Sequence, residues 1–467
     1  MSLLSHPKVR KLAAQTSDAL KRTLDQNVRL AVTGLSQAGK TAFITSLVDQ
    51  LLHGGQPVHQ PFFSVVAEER YLGARLAAQP HPELPRFRYR EAMAGLTGPE
   101  PAWPPSTQGI SELRLDLRYQ AAGGLRGLWG EPTTLTLDIV DYPGEWLLDL
   151  ALLEQDYEQW SRQQLALLQS EPRAALAADW LAQAGALEAD DQADEVQVEA
   201  LAGHYAELLG RFRHELGLSF LQPGRFLLPG ELKGAPVLAF FPWPGEPPEQ
   251  PGEGSLYQLL KRRFEQYQET VVRGFYRKHF AQIDRQVVLV DCLQSLNHSR
   301  AAFEDLQLAL QEILRSFHYG RTNVLRRLFS PRIDKVLFAA TQADRLTPDQ
   351  RPALSSLISQ LIGPAREQVR YEGIDTQVDT LAAICATQSG LAEHDGQQLP
   401  CLRGRLDSGK AVTLFPGDVP HNLPQADFWS RQGFEFHRFA PPLELQSPLP
   451  QVRMDKALEY LLGDKLS

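Results

Sequence analysis

Continuous apolar runs recur along the chain and predict the strands of a buried sheet. Such runs are typical of strands covered on both faces, and they occur at Val287–Val290, Val336–Ala340 and Thr380–Cys385. The short, mainly apolar segment Val28–Val32 predicts a further strand. The segments Ile110–Tyr119 and Thr133–Val140 instead alternate apolar and polar residues around a glycine-containing connection, which predicts a β-hairpin.

Stretches with helical spacing lie between these strands. Apolar residues recur every three or four positions from Leu256 to Phe275 and from Phe303 to Phe317, and a further helix is expected over residues 347–369. Residues 145–215 are also helical in pattern, whereas Pro and Gly interrupt residues 54–106 and predict a long irregular loop. The alternation of strands and helices predicts an α/β fold with a parallel, doubly wound sheet.

These patterns divide the 467 residues into five segments. Residues 27–144 and 283–395 are expected to form the two halves of the core, with a mainly helical insertion at 145–282 between them. A small β-rich extension with a closing helix is expected at 396–467 and an N-terminal helix at 1–26. Two interpretations of this basic N-terminal helix stay open, namely packing on its own domain, which is simpler, or contact with a membrane or partner.

Composition narrows the class of protein. The net charge of -9 argues against a broad nucleic-acid-binding surface. Cys292, Cys385 and Cys401 lack paired spacing, so we expect neither a disulfide framework nor a zinc site. The N-terminus does not have the pattern of a secretory signal, and no apolar run approaches the ~18 residues of a membrane span. We therefore expect a cytoplasmic protein.

The segment GLSQAGKT at Gly34–Thr41 matches the phosphate-binding pattern G-x-x-x-x-G-K-[ST] in full. It lies between a predicted strand and a helix-like stretch, which is the context that the motif requires. Glycines let the backbone N–H groups turn inward and surround a polyphosphate at a helix N-terminus. We expect Lys40 to contact the β- and γ-phosphates. The predicted nucleotide-binding residues of this region are Gly34, Leu35, Ser36, Gln37, Ala38, Gly39, Lys40, Thr41 and Ala42.

A second motif, Asp141-Tyr142-Pro143-Gly144, follows the strand Thr133–Val140 and has the D-x-x-G form. At this position Asp141 would hold Mg²⁺ through water, and the Gly144 N–H would contact a γ-phosphate. Thr107, which lies between the two motifs, is the candidate threonine that completes the Mg²⁺ coordination. The predicted Mg²⁺ ligands are Thr41, Thr107 and Asp141, and the predicted catalytic residues are Lys40, Thr107, Gly144 and Glu145.

Two further strand ends predict recognition of the base. Thr341-Gln342-Ala343-Asp344 is close to the [NT]-K-x-D pattern by which GTPases bind guanine, because the Asp344 carboxylate would accept hydrogen bonds from N1 and N2 donors that adenine lacks. Gln342 replaces the usual Lys, so stacking on the base is expected to be weaker. A backbone N–H of Ala386 or Thr387 would bind the guanine O6. The alternative for residues 341–344 is an ordinary strand-ending turn with a helix N-cap.

On these residues the chain resembles the bacterial YcjX family. The resemblance extends over nearly the whole chain, through GLSQAGKT, WPPSTQGISELRLDLRY, LDIVDYPGEWLLDL, LFSPRIDKVLFAATQADRL and FPGDVP. It implies a Ras-like P-loop NTPase with a three-layer α/β/α core, helical insertions, bound GTP or GDP, and Mg²⁺. It also implies cytoplasmic residence with peripheral inner-membrane contact, and a protein partner in the phage-shock stress response. Family members commonly carry Lys at the position of Gln342.

Two features bear on the rate of hydrolysis. Glu145 takes the place of the Gln that orients the attacking water in Ras-like enzymes, and its carboxylate would repel the γ-phosphate oxygens, so we predict slow intrinsic hydrolysis. Candidates for a catalytic arginine are Arg114 and the cluster Arg321, Arg326, Arg327 and Arg332, although a solvated basic face is the simpler interpretation.

Three functions stay open. The leading one is a GTP-hydrolysing switch whose loops around Thr107 and Gly144 order on the γ-phosphate. The second is a P-loop ATPase whose base choice is relaxed by Gln342. The third is a nucleotide-stabilised scaffold at the membrane with negligible turnover.

Overall fold

The computed structural model describes residues 26–467 except 36–37, 108, 124–131, 318–332, 372, 395, 423, 426 and 432. The N-terminal helix that the sequence predicts for residues 1–26 therefore lies almost entirely outside the described residues. Within the described residues the strands are β1 Gln26–Gly34, β2 Tyr71–Ala77, β3 Ser111–Tyr119, β4 Thr133–Asp141, β5 Arg285–Val290, β6 Lys335–Ala340, β7 Asp375–Thr380, β8 Thr387–His394, β9 Gln397–Arg405 and β10 Ala411–Leu414.

A π-helical turn at Tyr267–Val272 joins the helices Leu256–Gln266 and Arg273–Lys278. The helices are α1 Lys40–His53, α2 Ser64–Ala67, α3 Tyr89–Thr97, α4 Glu145–Leu148, α5 Tyr157–Leu168, α6 Ala174–Ala184, α7 Glu195–Glu215, α8 Gly224–Leu227, α9 Leu256–Gln266, α10 Arg273–Lys278, α11 Cys292–His298, α12 Arg300–Ser316, α13 Arg351–Tyr371, α14 Asp427–Arg431 and α15 Met454–Leu462.

The main sheet has the strand order β2-β3-β4-β1-β5-β6-β7. Strands β4, β1, β5, β6 and β7 run parallel to one another, and β3 runs antiparallel to both β2 and β4. The predicted hairpin is confirmed, because β3 pairs with β4 from Ser111 opposite Asp141 to Tyr119 opposite Thr133. The predicted α/β class is confirmed as well.

Alternate residues of the buried strands face two different apolar cores. In β6, Leu337 and Ala339 pack in the core that contains α1 and α15, whereas Val336 and Phe338 pack in the core that contains the helices of the insertion and α12. Side chains of a strand alternate between the two faces of a sheet, so helices cover both faces. The arrangement is a three-layer α/β/α core.

The prediction of a strand at Thr380–Cys385 is wrong. The strand is Asp375–Thr380, which lies at the edge of the sheet and carries the polar sequence DTQVDT. The apolar residues after it are buried for another reason: Ile384 packs against Leu449, and Ala382 pairs with Val452. An edge strand needs no continuous apolar run, because it is less buried than a central strand. The apolar run that predicted a strand belongs instead to the buried connection that follows β7.

The prediction of one long irregular loop over residues 54–106 is also wrong. This region contains α2, β2 and α3, and β2 pairs with β3 to extend the sheet by one strand. Pro and Gly residues flank these short elements, and their frequency led to the prediction of a single loop.

The small second sheet contains β8, β9 and β10. It begins at Thr387, inside the range 283–395 that the sequence assigned to the core. The closing helix α15 packs on the main sheet, where the Tyr460 hydroxyl donates to the Val336 carbonyl at 3.3 Å. Along the sequence, the small sheet is therefore inserted between β7 and a helix of the core. The five-segment division as a whole stays a prediction. Among the described helices, none is both long enough and apolar enough to cross a membrane.

Asp149 joins the segment after β4 to the helical insertion. Its carboxylate accepts hydrogen bonds from the Tyr267 hydroxyl at 2.6 Å and from the backbone N–H groups of Gly224 at 2.7 Å and Arg225 at 3.3 Å. Burial raises the pKa of Asp149 to about 6, against the lowering effect of these donors. The carboxylate is therefore a buried junction between two parts of the fold.

This raised pKa predicts a pH-dependent contribution of Asp149 to stability. Between pH ~4 and pH ~6 the folded state holds a proton that the unfolded state has lost, so the stability of the wild type relative to Asp149→Asn should fall as pH rises, by about 1.4 kcal/mol per pH unit. Denaturant unfolding of both proteins at pH 4.5, 5, 6 and 7 measures this difference. A difference that does not vary with pH would contradict the assignment.

Candidate functional site

A cavity of about 350 Å³ opens at the C-terminal edge of the parallel strands. This edge is where ligands bind in open α/β sheets. Most of the predicted site residues line the cavity, namely Gly34, Leu35, Ala38, Gly39, Lys40, Thr41, Ala42, Thr107, Glu145, Thr341, Gln342, Asp344 and Ala386.

The other predicted site residues fall into two groups. Asp141, Gly144 and Thr387 do not line the cavity, although each contacts a residue that does. Ser36 and Gln37 lie outside the described residues. The cavity therefore brings together residues that are far apart in the sequence.

The phosphate-loop residues lie between β1 and the N-terminus of α1. Gly39 has φ +76°, a left-handed conformation that favours glycine, and α1 begins at the next residue, Lys40. At Gly34 a side chain would come within 3.1 Å of the Cβ atoms of Ala38 and Leu289. The glycines of the motif thus serve backbone conformation at one position and close packing at the other.

The three predicted Mg²⁺ ligands lie side by side. The Thr107 hydroxyl donates to Asp141 Oδ2 at 2.7 Å and lies 3.3 Å from the Thr41 hydroxyl. The other oxygen of Asp141 forms an ion pair with the Lys40 ammonium. Two hydroxyls and one carboxylate supply the hard oxygen donors that Mg²⁺ prefers, so the donor set fits this ion.

No group of three or more His, Cys, Asp and Glu side chains suited to hold a metal occurs in the described part of the chain. A Mg²⁺ ion at Thr41, Thr107 and Asp141 would accordingly need further oxygen ligands from water or from a phosphate.

The turn at Gly144 presses against the phosphate loop. A Cβ on Gly144 would lie 2.7 Å from the Gly34 carbonyl oxygen and 3.1 Å from the Leu35 nitrogen. The next residue, Glu145, is buried, and its carboxylate lies 3.3 Å from the Arg213 guanidinium of α7. The turn therefore links the phosphate loop to the helical insertion.

At the opposite end of the cavity, Asp344 contacts the predicted O6-binding segment. Its carboxylate accepts a hydrogen bond from the Ala386 backbone N–H at 2.8 Å, and the Thr387 hydroxyl donates to the Asp344 carbonyl. Burial raises the pKa of Asp344, although the Ala386 N–H and nearby arginines favour the charged form. A buried carboxylate and a backbone donor therefore lie together at one wall of the cavity.

The Gln342 side chain is fixed by two hydrogen bonds that the motif does not predict. Its amide donates to Asp291 at 2.8 Å and accepts from Arg345 at 2.7 Å, and its backbone has φ +59°. A left-handed φ is uncommon for a residue other than glycine, and it often occurs where neighbouring contacts impose it. The side chain is thus part of a network that connects the ends of β5 and β6.

Several cavity-lining residues were not found from the sequence. Trp103 stands four residues before Thr107, and Arg345 directly follows Asp344, so both lie next to predicted motifs in the sequence. Further lining residues lie in the helical insertion or near the small sheet, where no motif marked them, and they are Arg213, Leu228, Asp407, Arg438 and Phe439.

Of the arginine candidates from the sequence, Arg114 does not line this cavity. Arg114 of β3 forms two hydrogen bonds with Asp138 of β4, at 2.6 and 2.7 Å, so it stabilises the pairing of two strands. The cluster Arg321, Arg326, Arg327 and Arg332 lies outside the described residues.

The two kinds of glycine in the site predict different costs on substitution. Gly39→Ala meets no neighbouring atom and should lower the free energy of unfolding by about 1 kcal/mol, because only the left-handed backbone conformation is penalised. Gly144→Ala must displace the Gly34 backbone and should cost more, about 2 kcal/mol or above. Denaturant unfolding of the two variants checks the order, and equal costs would contradict it.

Comparison with known proteins agrees with this geometry. The family model described as the YcjX-like family, DUF463, matches residues 28–466. The protein named "Ras-like GTPase YcjX" from Escherichia coli (strain K12) is 46% identical over 468 residues, which cover 98% of this chain and 100% of the relative. A protein of the same name from Shewanella oneidensis (strain MR-1) is 43% identical over 480 residues, which cover 98% of each chain.

Both the resemblance and the fold that it implies are confirmed. The sheet order, the position of the phosphate loop between β1 and α1, and these relatives agree on a Ras-like P-loop core with helical insertions and a small additional sheet. The chain belongs to the YcjX-like family.

Proposed function

We propose that this protein binds GTP, hydrolyses it slowly to GDP with Mg²⁺, and changes state with the bound nucleotide. One observation carries the proposal: a single cavity has the phosphate-loop residues Lys40 and Thr41 in one wall and the pair Asp344 and Ala386 in another. The names of the two relatives, both Ras-like GTPases, support the same assignment.

Lys40 acts at the phosphate end. Its ammonium pairs with the buried Asp141 carboxylate. When a triphosphate enters, the ammonium turns to the β- and γ-phosphate oxygens, which offer a larger negative charge. The backbone N–H groups at the start of α1 add partial positive charge to the same oxygens.

Mg²⁺ would be held by Thr41, Thr107 and Asp141, and when bound it neutralises charge on the phosphate oxygens. The Thr107 hydroxyl donates to Asp141, and as a ligand Thr107 would offer its hydroxyl oxygen to the ion. Because Thr107 lies in a loop before β3, this change is the natural means by which the loop senses a triphosphate.

Asp344 and Ala386 act at the base end. The Ala386 N–H donates to the Asp344 carboxylate at 2.8 Å, so each group has a partner. Guanine would replace this bond, since its N1 and N2 donors match the carboxylate and its O6 accepts from the Ala386 N–H. Adenine offers neither pairing, so in the same position it would break this buried hydrogen bond without replacing it, which is costly.

Glu145 slows the reaction. Its carboxylate can accept a hydrogen bond from the attacking water, but its negative charge opposes the charge of the γ-phosphate. We assign this slow switch to the bacterial stress response at the envelope, with a protein partner at the inner membrane, a role that rests on the family resemblance alone.

Asp344→Asn should change the base preference from guanine to xanthine. The amide offers a donor where the carboxylate offered acceptors, and xanthine presents a carbonyl oxygen at C2 in place of the amino group. Competition of GTP, XTP and ATP against a fluorescent guanine nucleotide measures the change, with Asp349→Asn, on the neighbouring 3₁₀ turn, as the matched control. Preference of the wild type for ATP would favour a P-loop ATPase instead.

The isolated wild-type protein should release phosphate from GTP slowly in a single turnover, at roughly 10⁻⁴ to 10⁻² s⁻¹, the range of Ras-like proteins without a partner. Lys40→Ala should weaken triphosphate binding and abolish release, because no other residue replaces its charge. Turnover above about 1 s⁻¹ would contradict the assignment of Glu145, and tight GTP binding without any release would favour a scaffold.

A further inference from the structure

Arg213 brings a positive charge from the helical insertion to the phosphate end of the cavity. It lies in the last turn of α7, its guanidinium is 3.3 Å from the Glu145 carboxylate, and its side chain is 17% exposed. Glu145 follows Gly144, which touches Gly34 of the phosphate loop. The chain of contacts therefore places Arg213 beside the turn that faces a γ-phosphate.

Arg213 lies on a well-packed helix and borders two cavities. The preceding residues Leu208, Leu209 and Phe212 are buried in the apolar core, so the helix is anchored. The side chain itself borders both the main cavity and a second, smaller cavity of about 70 Å³ that also reaches Leu35. Arg213 thus lies at the boundary of both cavities, on a helix that buried residues hold in place.

Three other positive charges near the main cavity have partners of their own. Arg345 donates to the His437 carbonyl and to Gln342 at the base end, and Lys40 pairs with Asp141. Arg225 lies over the Trp146 ring, 3.3 Å from its centroid. Among the described residues, Arg213 is the arginine that forms an ion pair with Glu145.

We propose that Arg213 is the catalytic arginine of GTP hydrolysis, supplied by the helical insertion of the same chain and held by Glu145 until the triphosphate is bound. This inference deepens the proposed function and rests on it. In the reaction, a water oxygen forms a bond to the γ-phosphorus while the bond between that phosphorus and the β,γ-bridging oxygen breaks. The bridging oxygen leaves with the electron pair as part of GDP, and the water proton passes to the released phosphate. Arg213 stabilises the charge that grows on the transferred group and the leaving oxygen.

The Glu145 pair then acts as a latch. While the carboxylate holds the guanidinium, neither group is free for catalysis, which accounts for a slow basal rate. Repulsion between Glu145 and the γ-phosphate favours release of Arg213 toward that phosphate. A partner that moves the Glu145 carboxylate away would raise the rate by the same route.

A double-mutant cycle separates a catalytic arginine from a mere counter-ion of Glu145. Phosphate release in a single turnover is measured for the wild type, Arg213→Ala, Glu145→Gln and the double variant. Glu145→Gln should raise the rate, because it frees Arg213 and removes the repulsion. If Arg213 is catalytic, adding Arg213→Ala to Glu145→Gln lowers the rate by about a hundredfold or more. If Arg213 only neutralises Glu145, the double variant keeps the rate of Glu145→Gln, and the proposal is overturned.

A binding measurement supplies a second readout that is independent of turnover. GDP with aluminium fluoride imitates the transferred phosphate, so the complex should form on Glu145→Gln and fail to form on the double variant, while GDP alone binds both within a few-fold. Arg211→Ala is the matched control, because Arg211 lies on the same helix and pairs with Glu215 at 2.7 Å on the surface. It should behave as the wild type.

The outcomes also distinguish this inference from the proposed function. If the wild type binds and hydrolyses GTP but the cycle shows no effect of Arg213, only the catalytic arginine is refuted. Equal loss of GTP and GDP affinity in Arg213→Ala would assign the residue to ground-state binding and would refute it as well. If the wild type binds no guanine nucleotide, the proposed function falls and this inference falls with it.

Discussion

The contact between Gly144 and Gly34 is the constraint on which the site depends. A carbonyl oxygen and a turn meet so closely that no side chain fits between them, and this contact fixes the turn after β4 against the phosphate loop. A second contact of the same kind follows, because a Cβ on Gly224 would lie 2.1 Å from the Glu145 carbonyl oxygen. The two contacts join the phosphate loop, the turn and the helical insertion in one continuous packed unit.

Burial of the segment after Gly144 extends this unit. Trp146 donates from its indole N–H to the Leu228 carbonyl at 3.0 Å, and its ring meets Phe275 edge to face at 5.6 Å. Asp149 adds hydrogen bonds from Tyr267 and from the N-terminus of α8. A movement of the turn must therefore either carry the insertion with it or break these buried contacts. The helical insertion is in the position to register a change at the phosphate loop, because it covers the segment that would move.

Each buried charged group of the site has a partner. Lys40 pairs with Asp141, Arg213 pairs with Glu145, and Asp344 accepts from the Ala386 N–H. Burying a charge without a partner is expensive, so each pairing offsets part of that cost. Each is also a pairing that phosphate, metal or base could replace, and an ordered set of exchangeable partners is what a nucleotide site requires. The side chains that satisfy one another in the fold are thus the same side chains that we propose to contact the nucleotide.

Local motifs in the sequence determined the class of site, and distant contacts decided its details. Gly34, Gly39, Lys40 and Thr41 stand close together in the chain, so their spacing alone predicted a phosphate loop. Asp141 and Asp344 follow apolar strands, and parallel strands end at one edge of a sheet, so their meeting with the loop was predictable too. The same logic failed for Thr380–Cys385, because an edge strand can be polar while a connection is apolar.

Arg213 shows what only the tertiary structure decided. Nothing near it in the sequence distinguishes it from Arg211, two residues before it on the same helix. Arg211 pairs with Glu215 on the surface, whereas Arg213 pairs with buried Glu145, because the two arginines lie on different faces of α7. The sequence by itself determined which backbone could hold a phosphate, since that depends on neighbouring residues. Which arginine stands beside the turn at Gly144 and Glu145 depends on how the insertion packs on that turn, and the packing is set by contacts between residues far apart in the chain.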